Sequence, residues 1–251
     1  GTWDLTFRVT AIVGPGTLAF TPRAVSGLVL WLRADMGVTL AGSNVSAWAD
    51  QSGIGDANRN ATQATGAAQP PFNASDAQYA GQPTIGNFAS GQFLQTGTWS
   101  ASYATPFTFI LVGHVLDNTG NRYMTASAAT NRLDMFNQSS SKASVVGGPD
   151  ATPLILADGH DLTAKTIFCV EWNGASTTFY MSSKTASSSG NAGTSPLGVA
   201  PQIFGSYRGG GAGFETGGKL AEAIAYSRAL TASERGSLMD YLAGRYAITL
   251  T

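Results

Sequence analysis

Charge is what this chain has least of. Only 12% of its 251 residues are Asp, Glu, Lys or Arg, and the formal net charge is −1. A globular domain usually carries about a quarter charged residues. No basic stripe exists to neutralise a phosphate backbone, so nucleic acid is not an expected partner. The single cysteine, Cys169, leaves no internal disulfide to form. It lies in the apolar run Thr166-Ile-Phe-Cys-Val170, which points to a buried inert thiol rather than a reactive one. No apolar run is long enough to cross a bilayer, so membrane insertion is not expected. Gly1-Thr2-Trp3-Asp4 lacks the basic start and apolar stretch of a signal peptide, and a start at glycine in mid-pattern reads as a fragment or processed product.

What is present is a core. Hydrophobic residues make up 43% and aromatics 10%, enough for a folded chain rather than a disordered one. Gly, Ser, Thr, Ala and Asn are plentiful, a balance closer to a cell-surface or virion-surface protein than to a cytosolic enzyme. Leu5, Phe7, Val9, Ala11 and Val13 alternate with polar residues and predict a half-buried strand, ended by Gly14-Pro15-Gly16. Residues 1–22 read as a connecting strand or linker ahead of a domain over residues 23–251, or as the first strand of that domain itself. Further strands are predicted at Gly27–Asp35, Val45–Asp50, Pro83–Phe88, Gln92–Leu94, Phe107–Val115 and Arg132–Phe136. Others follow at Lys165–Trp172, Thr177–Met181, Gln202–Gly205 and Lys219–Tyr226, with Asn173-Gly174 as a hairpin signal. Gln51 to about Asp76 reads as a long loop. Ser139-Ser-Ser141 and Ser187-Ser-Ser-Gly190 read as exposed loop tips. Thr231-Ala-Ser-Glu234 is a capping box, and Leu238 and Leu242 recur at i, i+4, so a helix is predicted over 232–245. Many short strands with polar turns and one helix predict an all-β sandwich or barrel.

Several of these segments carry a family likeness. Gly27-Leu-Val-Leu-Trp-Leu-Arg-Ala-Asp35, Trp48-Ala-Asp-Gln-Ser-Gly53, Asn60-Ala-Thr-Gln63, Pro70-Pro-Phe72 and Gly81–Phe88 resemble the start of a concanavalin A-like lectin/glucanase domain of the laminin-G-like group. Gly217-Gly-Lys-Leu-Ala-Glu-Ala-Ile-Ala-Tyr226, Thr231–Arg235 and Tyr241-Leu-Ala-Gly-Arg-Tyr246 resemble its closing strand and helix. The likeness spans about residues 24 to 249. It implies a jelly-roll sandwich of two antiparallel sheets with one C-terminal helix. Function is implied only loosely, since this fold carries lectins, adhesion modules, glycosidases, lyases and structural domains of phage tails and spikes.

A glycosidase needs two carboxylates about 5 to 10 Å apart. The only glutamates are Glu171, Glu215, Glu222 and Glu234, and none has a carboxylate two residues away. The capping box accounts for Glu234, and the resemblance gives Glu222 a structural role. The glucanase signature is therefore absent. A lyase would need Arg, Gln, His and Tyr on one sheet, and only His114 and His160 are available. His114 ends the strongest apolar strand and could project into a groove. No Gly-x-Ser-x-Gly elbow is present. Asp50-Gln-Ser-Gly-Ile-Gly-Asp-Ala-Asn-Arg-Asn60 offers oxygens at alternate positions, as calcium favours, but Ala61 stands where an EF-hand has glutamate. An Asx-rich turn closing its own backbone is the plainer reading. Asp158-Gly-His-Asp161 likewise reads as a turn.

Sugars are held by aromatic faces and by polar side chains that bond hydroxyls. The candidate ligand residues are loop groups of that kind: Trp99, Tyr103, Asn118, Asn121, Arg122, Tyr123, Tyr207 and Arg208. The ordinary alternative for each is cover for a sandwich edge. Trp31, Trp48 and Trp172 fall within strands and are expected in the core. The function expected from these features is non-catalytic recognition of a cell-surface polysaccharide or other glycan on an exterior surface. A phage or virus-like particle spike, fibre or tail component would be such a host, with other subunits as partners and multivalent display supplying avidity. The alternatives are a structural assembly domain that binds only protein, and a polysaccharide-degrading enzyme. No cofactor is expected.

Overall fold

The strand Phe107–His114 is buried along all eight residues. Phe107, Phe109 and Leu111 enter one apolar cluster, while Ile110 and Val112 enter another. Apart from Thr108 and His114 the run is apolar, because both of its faces are covered. That double burial sets the layering of the molecule.

The computed structural model describes residues 20–115, 122–126, 132–139, 141–148, 154–155, 160–206 and 217–251. In chain order the strands are β1 (Leu28–Arg33), β2 (Val38–Ala41), β3 (Asn44–Trp48), β4 (Ala61–Thr62), β5 (Phe72–Asp76), β6 (Gln82–Gly86), β7 (Leu94–Gln95), β8 (Phe107–His114) and β9 (Arg122–Ala126). They continue with β10 (Leu133–Ser139), β11 (Lys142–Gly147), β12 (Leu154–Ile155), β13 (Thr166–Trp172), β14 (Thr177–Met181), β15 (Ser188–Gly190), β16 (Gln202–Phe204) and β17 (Lys219–Tyr226). Helix α1 (Ala232–Tyr246) follows. Eight strands form one sheet in the order β15-β14-β13-β8-β17-β6-β5, with β1 also paired to β17. Nine form the other, ordered β12-β11-β10-β9-β16-β7-β4-β3-β2. The pairings are antiparallel throughout.

The sheets meet across a core that includes Trp48, Tyr123, Phe168, Trp172 and Phe204. Tyr123 of the nine-stranded sheet packs on Phe168 of the other, ring centroids 4.3 Å apart. Helix α1 covers the second face of the eight-stranded sheet, where Leu238, Met239 and Leu242 join Cys169 and Ile224. The capping box is formed: Glu234 N–H donates to the Thr231 hydroxyl at 3.2 Å, and Thr231 N–H donates to the Glu234 carboxylate at 2.9 Å. This is the all-β sandwich of two antiparallel sheets with a C-terminal helix that the sequence predicts.

Three local expectations change. The stretch Gln51–Asp76 carries β4 and β5 rather than loop alone. Backbone pairing to β3, β7 and β6 holds these strands, not a buried side-chain stripe, so no alternation marks them. The serine run 187–190 contains β15, an edge strand paired to β14. The sequence does not signal β2, β9, β11 or β12 either, and β9 makes Arg122 and Tyr123 strand residues rather than loop residues. The expected strand over residues 5–13 lies outside the described residues. The end of the expected linker packs on the domain: Tyr226 donates its hydroxyl to the Pro22 carbonyl at 2.9 Å, and the Phe20 ring lies 6.1 Å from that of Tyr241.

Candidate functional site

Helix α1 has an apolar face toward the sheet and a second face beside it. Ser237, Asp240, Tyr241, Gly244 and Arg245 recur at i, i+3, i+4, i+7 and i+8 on that second face. With Phe20 and with Gln82 at the start of β6, they line an open groove of about 750 Å³. Small-molecule sites usually span about 300–1,000 Å³. Tyr241 and Phe20 give the groove an apolar wall. The Gln82 amide and Ser237 hydroxyl have no partner among the described residues. Asp240 pairs with Lys184 at 2.6 Å, and Arg245 pairs with Asp35 at 2.6 Å.

Behind Tyr241 lies Glu222, which is 1% exposed. Its carboxylate accepts from Trp31 Nε1 at 2.6 Å, from the Tyr246 hydroxyl at 2.8 Å and from the Tyr241 hydroxyl at 3.3 Å. Arg33 Nη1 in turn donates to the Tyr241 hydroxyl at 3.3 Å. Burial pushes the Glu222 carboxyl up to about 7, against the pull of its hydrogen bonds and of Arg245 and Arg33. Burial and the Glu222 charge together push the Tyr241 hydroxyl up to about 12. Glu222 is thus walled from the groove and held as framework, the role the resemblance implies.

Of the sequence-derived ligand residues, Trp99, Tyr103, Arg122 and Tyr123 fall among the described residues. Trp99 is 5% exposed and packs edge-on to Tyr103, centroids 6.3 Å apart. The Arg59 guanidinium lies 4.7 Å from the Trp99 ring and 5.6 Å from that of Tyr103, and Arg59 Nη2 donates to the Tyr103 hydroxyl at 2.9 Å. The faces a sugar would need are occupied. Tyr123 is 1% exposed and faces the intersheet core. Its neighbour Arg122 turns the other way, 3.8 Å from Asp134 and 4.2 Å from the Phe136 ring. Their residue types suit sugar binding, but burial makes Trp99 and Tyr123 core residues. Asn118, Asn121, Tyr207 and Arg208 lie outside the described residues. They fall on the chain segments that join β8 to β9 and β16 to β17.

In the stretch weighed as a calcium site, Asp50, Asp56 and Asn60 close backbone hydrogen bonds and, with Gly55 and Ala57, line a cavity of about 220 Å³. Asp50 accepts from Trp31 N–H at 2.8 Å and Ser52 N–H at 2.9 Å. Asp56 accepts from Ser100 N–H at 2.9 Å and Asn58 N–H at 3.0 Å. The Ser100 amide leads the bonds that hold the Asp56 carboxyl down at about 2. Asn60 accepts from Asp50 N–H at 2.8 Å. Among the described residues no three His, Cys, Asp or Glu side chains gather as metal ligands do. Asp161 serves its own turn, accepting from Thr163 N–H at 3.0 Å.

The other acid–base candidates are also engaged. Glu171 pairs with Arg235 at 2.7 Å, and Glu234 with Arg228 at 2.6 Å. His114 is 1% exposed and its Nδ1 shares a 2.8 Å hydrogen bond with the Tyr79 hydroxyl. Burial, then the Lys219 charge, lowers the imidazole to about 4. Cys169 is fully buried, and burial raises its thiol well above the usual range. Glu215 lies outside the described residues.

No family model and no curated protein sequence matches the chain. Solved structures do. A Trypanosoma rangeli sialidase in complex with 2,3-difluorosialic acid aligns with TM-score 0.58 at 16% identity, over 95% of this chain and 35% of that one. The same organism's sialidase in complex with sialic acid aligns with TM-score 0.56 at 15% identity, over 88% and 33%. The chain thus spans about a third of the length of these sialidases. A CBM40 of the Ruminococcus gnavus IT-sialidase, bound to α2,3-sialyllactose, aligns with TM-score 0.44 at 9% identity, over 62% of this chain and 100% of that one. At these identities the likeness to the sialidases is one of fold alone.

The groove on α1 was not among the sequence-derived sites. Its signal was the second helical stripe at 237, 240, 241, 244 and 245. The Leu238–Leu242 stripe marks only the buried face.

Proposed function

We propose that this chain is a non-catalytic glycan-recognition module working on an exterior surface, built on a concanavalin A-like jelly roll of the laminin-G-like group. The observation that carries the reading is the open groove beside α1, where an apolar wall of Phe20 and Tyr241 stands next to uncommitted polar side chains. Aromatic contact plus hydroxyl bonding is how proteins hold sugar rings. The engagement of Glu171, Glu222 and Glu234 in structural bonds supports a binding role over a hydrolytic one. The sialidases similar in fold include one solved with sialic acid; the sugar is theirs, and a carbohydrate ligand for this chain is our reading. The low charge and the abundance of small polar residues fit a virion spike, fibre or tail, or a bacterial adhesin. A single shallow site would bind weakly, and repeated display in an assembly would raise avidity.

The test is binding of the bead-displayed chain to a polysaccharide and oligosaccharide array, with reducing-sugar release measured on every bound probe. Binding without release is expected. Failure to bind any glycan under multivalent display would favour a purely structural domain. Release of sugar would make the chain an enzyme.

A further inference from the structure

We infer that the groove beside α1 takes a neutral saccharide rather than an acidic one, with Phe20 and Tyr241 as its apolar platform. This rests on the glycan-recognition reading above. An acidic sugar is held by a cation free to meet its carboxylate. Here each cation at the groove already has a carboxylate. Arg245 and Arg33 converge on Asp35, at 2.6 Å and 2.5 Å, and Lys184 lies 2.6 Å from Asp240. Apart from the Arg245 guanidinium, which shares Asp35 with Arg33 and keeps its Nε unbonded, the uncommitted groups are neutral: the Gln82 amide, with two donors and an acceptor, and the Ser237 hydroxyl. Such groups match sugar hydroxyls, which donate and accept in equal measure.

Gly244 marks the open floor of the groove. A Cβ at Gly244 would meet nothing within 4 Å, and Gly244 lies on the groove lining. The space its missing side chain leaves belongs to the groove. Substitution there fills the site without disturbing the fold, and so separates binding from stability.

The experiment uses the full chain on multivalent beads against immobilised laminarihexaose, mannohexaose, cellohexaose, lactose and α2,3-sialyllactose. The variants are Gly244→Leu, Gly244→Ala and Gln82→Ala, with melting temperature measured for each. Expected is wild-type binding to at least one neutral probe, no gain for sialyllactose over lactose, and at least about tenfold weaker binding by Gly244→Leu with its melting temperature kept. Gln82→Ala should weaken binding in the same direction. Should Gly244→Leu fail to fold, Gly244→Ala and Gln82→Ala carry the comparison. Neutral-probe binding that none of the variants alters would overturn the groove and leave glycan recognition standing elsewhere on the chain. Tighter binding of sialyllactose than of lactose would overturn neutrality. Wild type that binds no probe would overturn this inference together with the reading beneath it.

Discussion

Trp31 Nε1 donates to Glu222 Oε1 at 2.6 Å, tying β1 to β17 beneath α1. Burial raises the Glu222 carboxyl from 4.5 to about 7. The folded chain therefore keeps a proton that the unfolded chain has lost between those values. Its stabilising contribution is complete below the unfolded value and disappears as pH rises through about 7. Glu222→Gln keeps an acceptor for Trp31 but does not titrate. The stability of the variant relative to wild type should rise by on the order of 3 kcal/mol between about pH 4.5 and 8. Urea titrations at a series of pH values measure this, and parallel profiles would count against it.

His114 acts with the opposite sign. Its imidazole is lowered from 6.5 to about 4 by burial and then by Lys219. The stabilisation from a depressed histidine is present above 6.5 and is lost as pH falls through about 4. Between 4.5 and 6.5 it offsets the Glu222 contribution, so the two together flatten the wild-type profile. Glu222→Gln should expose the histidine slope, with stability rising as pH rises. His114→Gln, which keeps a partner for the Tyr79 hydroxyl, should expose the reverse slope. Equal slopes in the two variants would refute the assignment.

The fold was legible where side-chain burial writes it. Phe107–His114 and Thr166–Trp172 are buried throughout and largely apolar because sheet and helix cover both faces, and Thr231 and Glu234 announce the start of α1. It was illegible where backbone pairing does the holding, as in Ala61–Thr62 and Ser188–Gly190, whose small side chains leave no periodic mark. The site was harder to find. Trp99 has the residue type of a sugar platform, yet Arg59, far from it in sequence, covers its ring. The groove joins Phe20, Gln82 and α1 across the chain, and no local pattern reports that meeting.

The capping box makes a bounded prediction. Thr231→Ala removes the acceptor for the Glu234 amide and should cost about 1 kcal/mol. For a chain of this size that lowers the melting temperature by about 2–4 °C. Glu234→Ala should cost somewhat more, because it also loses the partly exposed pair with Arg228. Calorimetry distinguishes them, and a stable Thr231→Ala chain would show that helix packing alone sets the start of α1.

Glycines at two places should respond with opposite signs. A Cβ at Gly218 would overlap the His114 carbonyl and sit 2.8 Å from Val115 Cα, backbone that cannot retreat without opening β17 from β8. Gly218→Ala should therefore cost more than about 3 kcal/mol. Gly236, inside α1, has nothing within 4 Å of an added Cβ. Gly236→Ala should gain about 0.5–1 kcal/mol through helix propensity. Chemical denaturation of the pair settles it; similar effects at both positions would remove close backbone approach as the reason for glycine in the Gly217-Gly218 turn.

Arg59 and Trp99 form the last test, since they decide whether a candidate ligand residue is framework. Arg59 is 1% exposed, donates to the Val29 carbonyl and to the Tyr103 hydroxyl, and lies 3.4 Å from Asp56. Arg59→Met would leave those acceptors short of a donor and should cost about 3–5 kcal/mol. Trp99→Ala should cost a similar amount, about 3–5 kcal/mol, by emptying a packed site. The two losses should not add. A desolvated cation over an indole is worth about 2 kcal/mol, and that shared term appears once in the double variant. Glycan retention gives the independent readout. A framework tryptophan replaced by phenylalanine should lower the melting temperature and leave retention of the folded fraction unchanged. A ligand-contacting tryptophan would do the reverse, and that result would return Trp99 to the binding site.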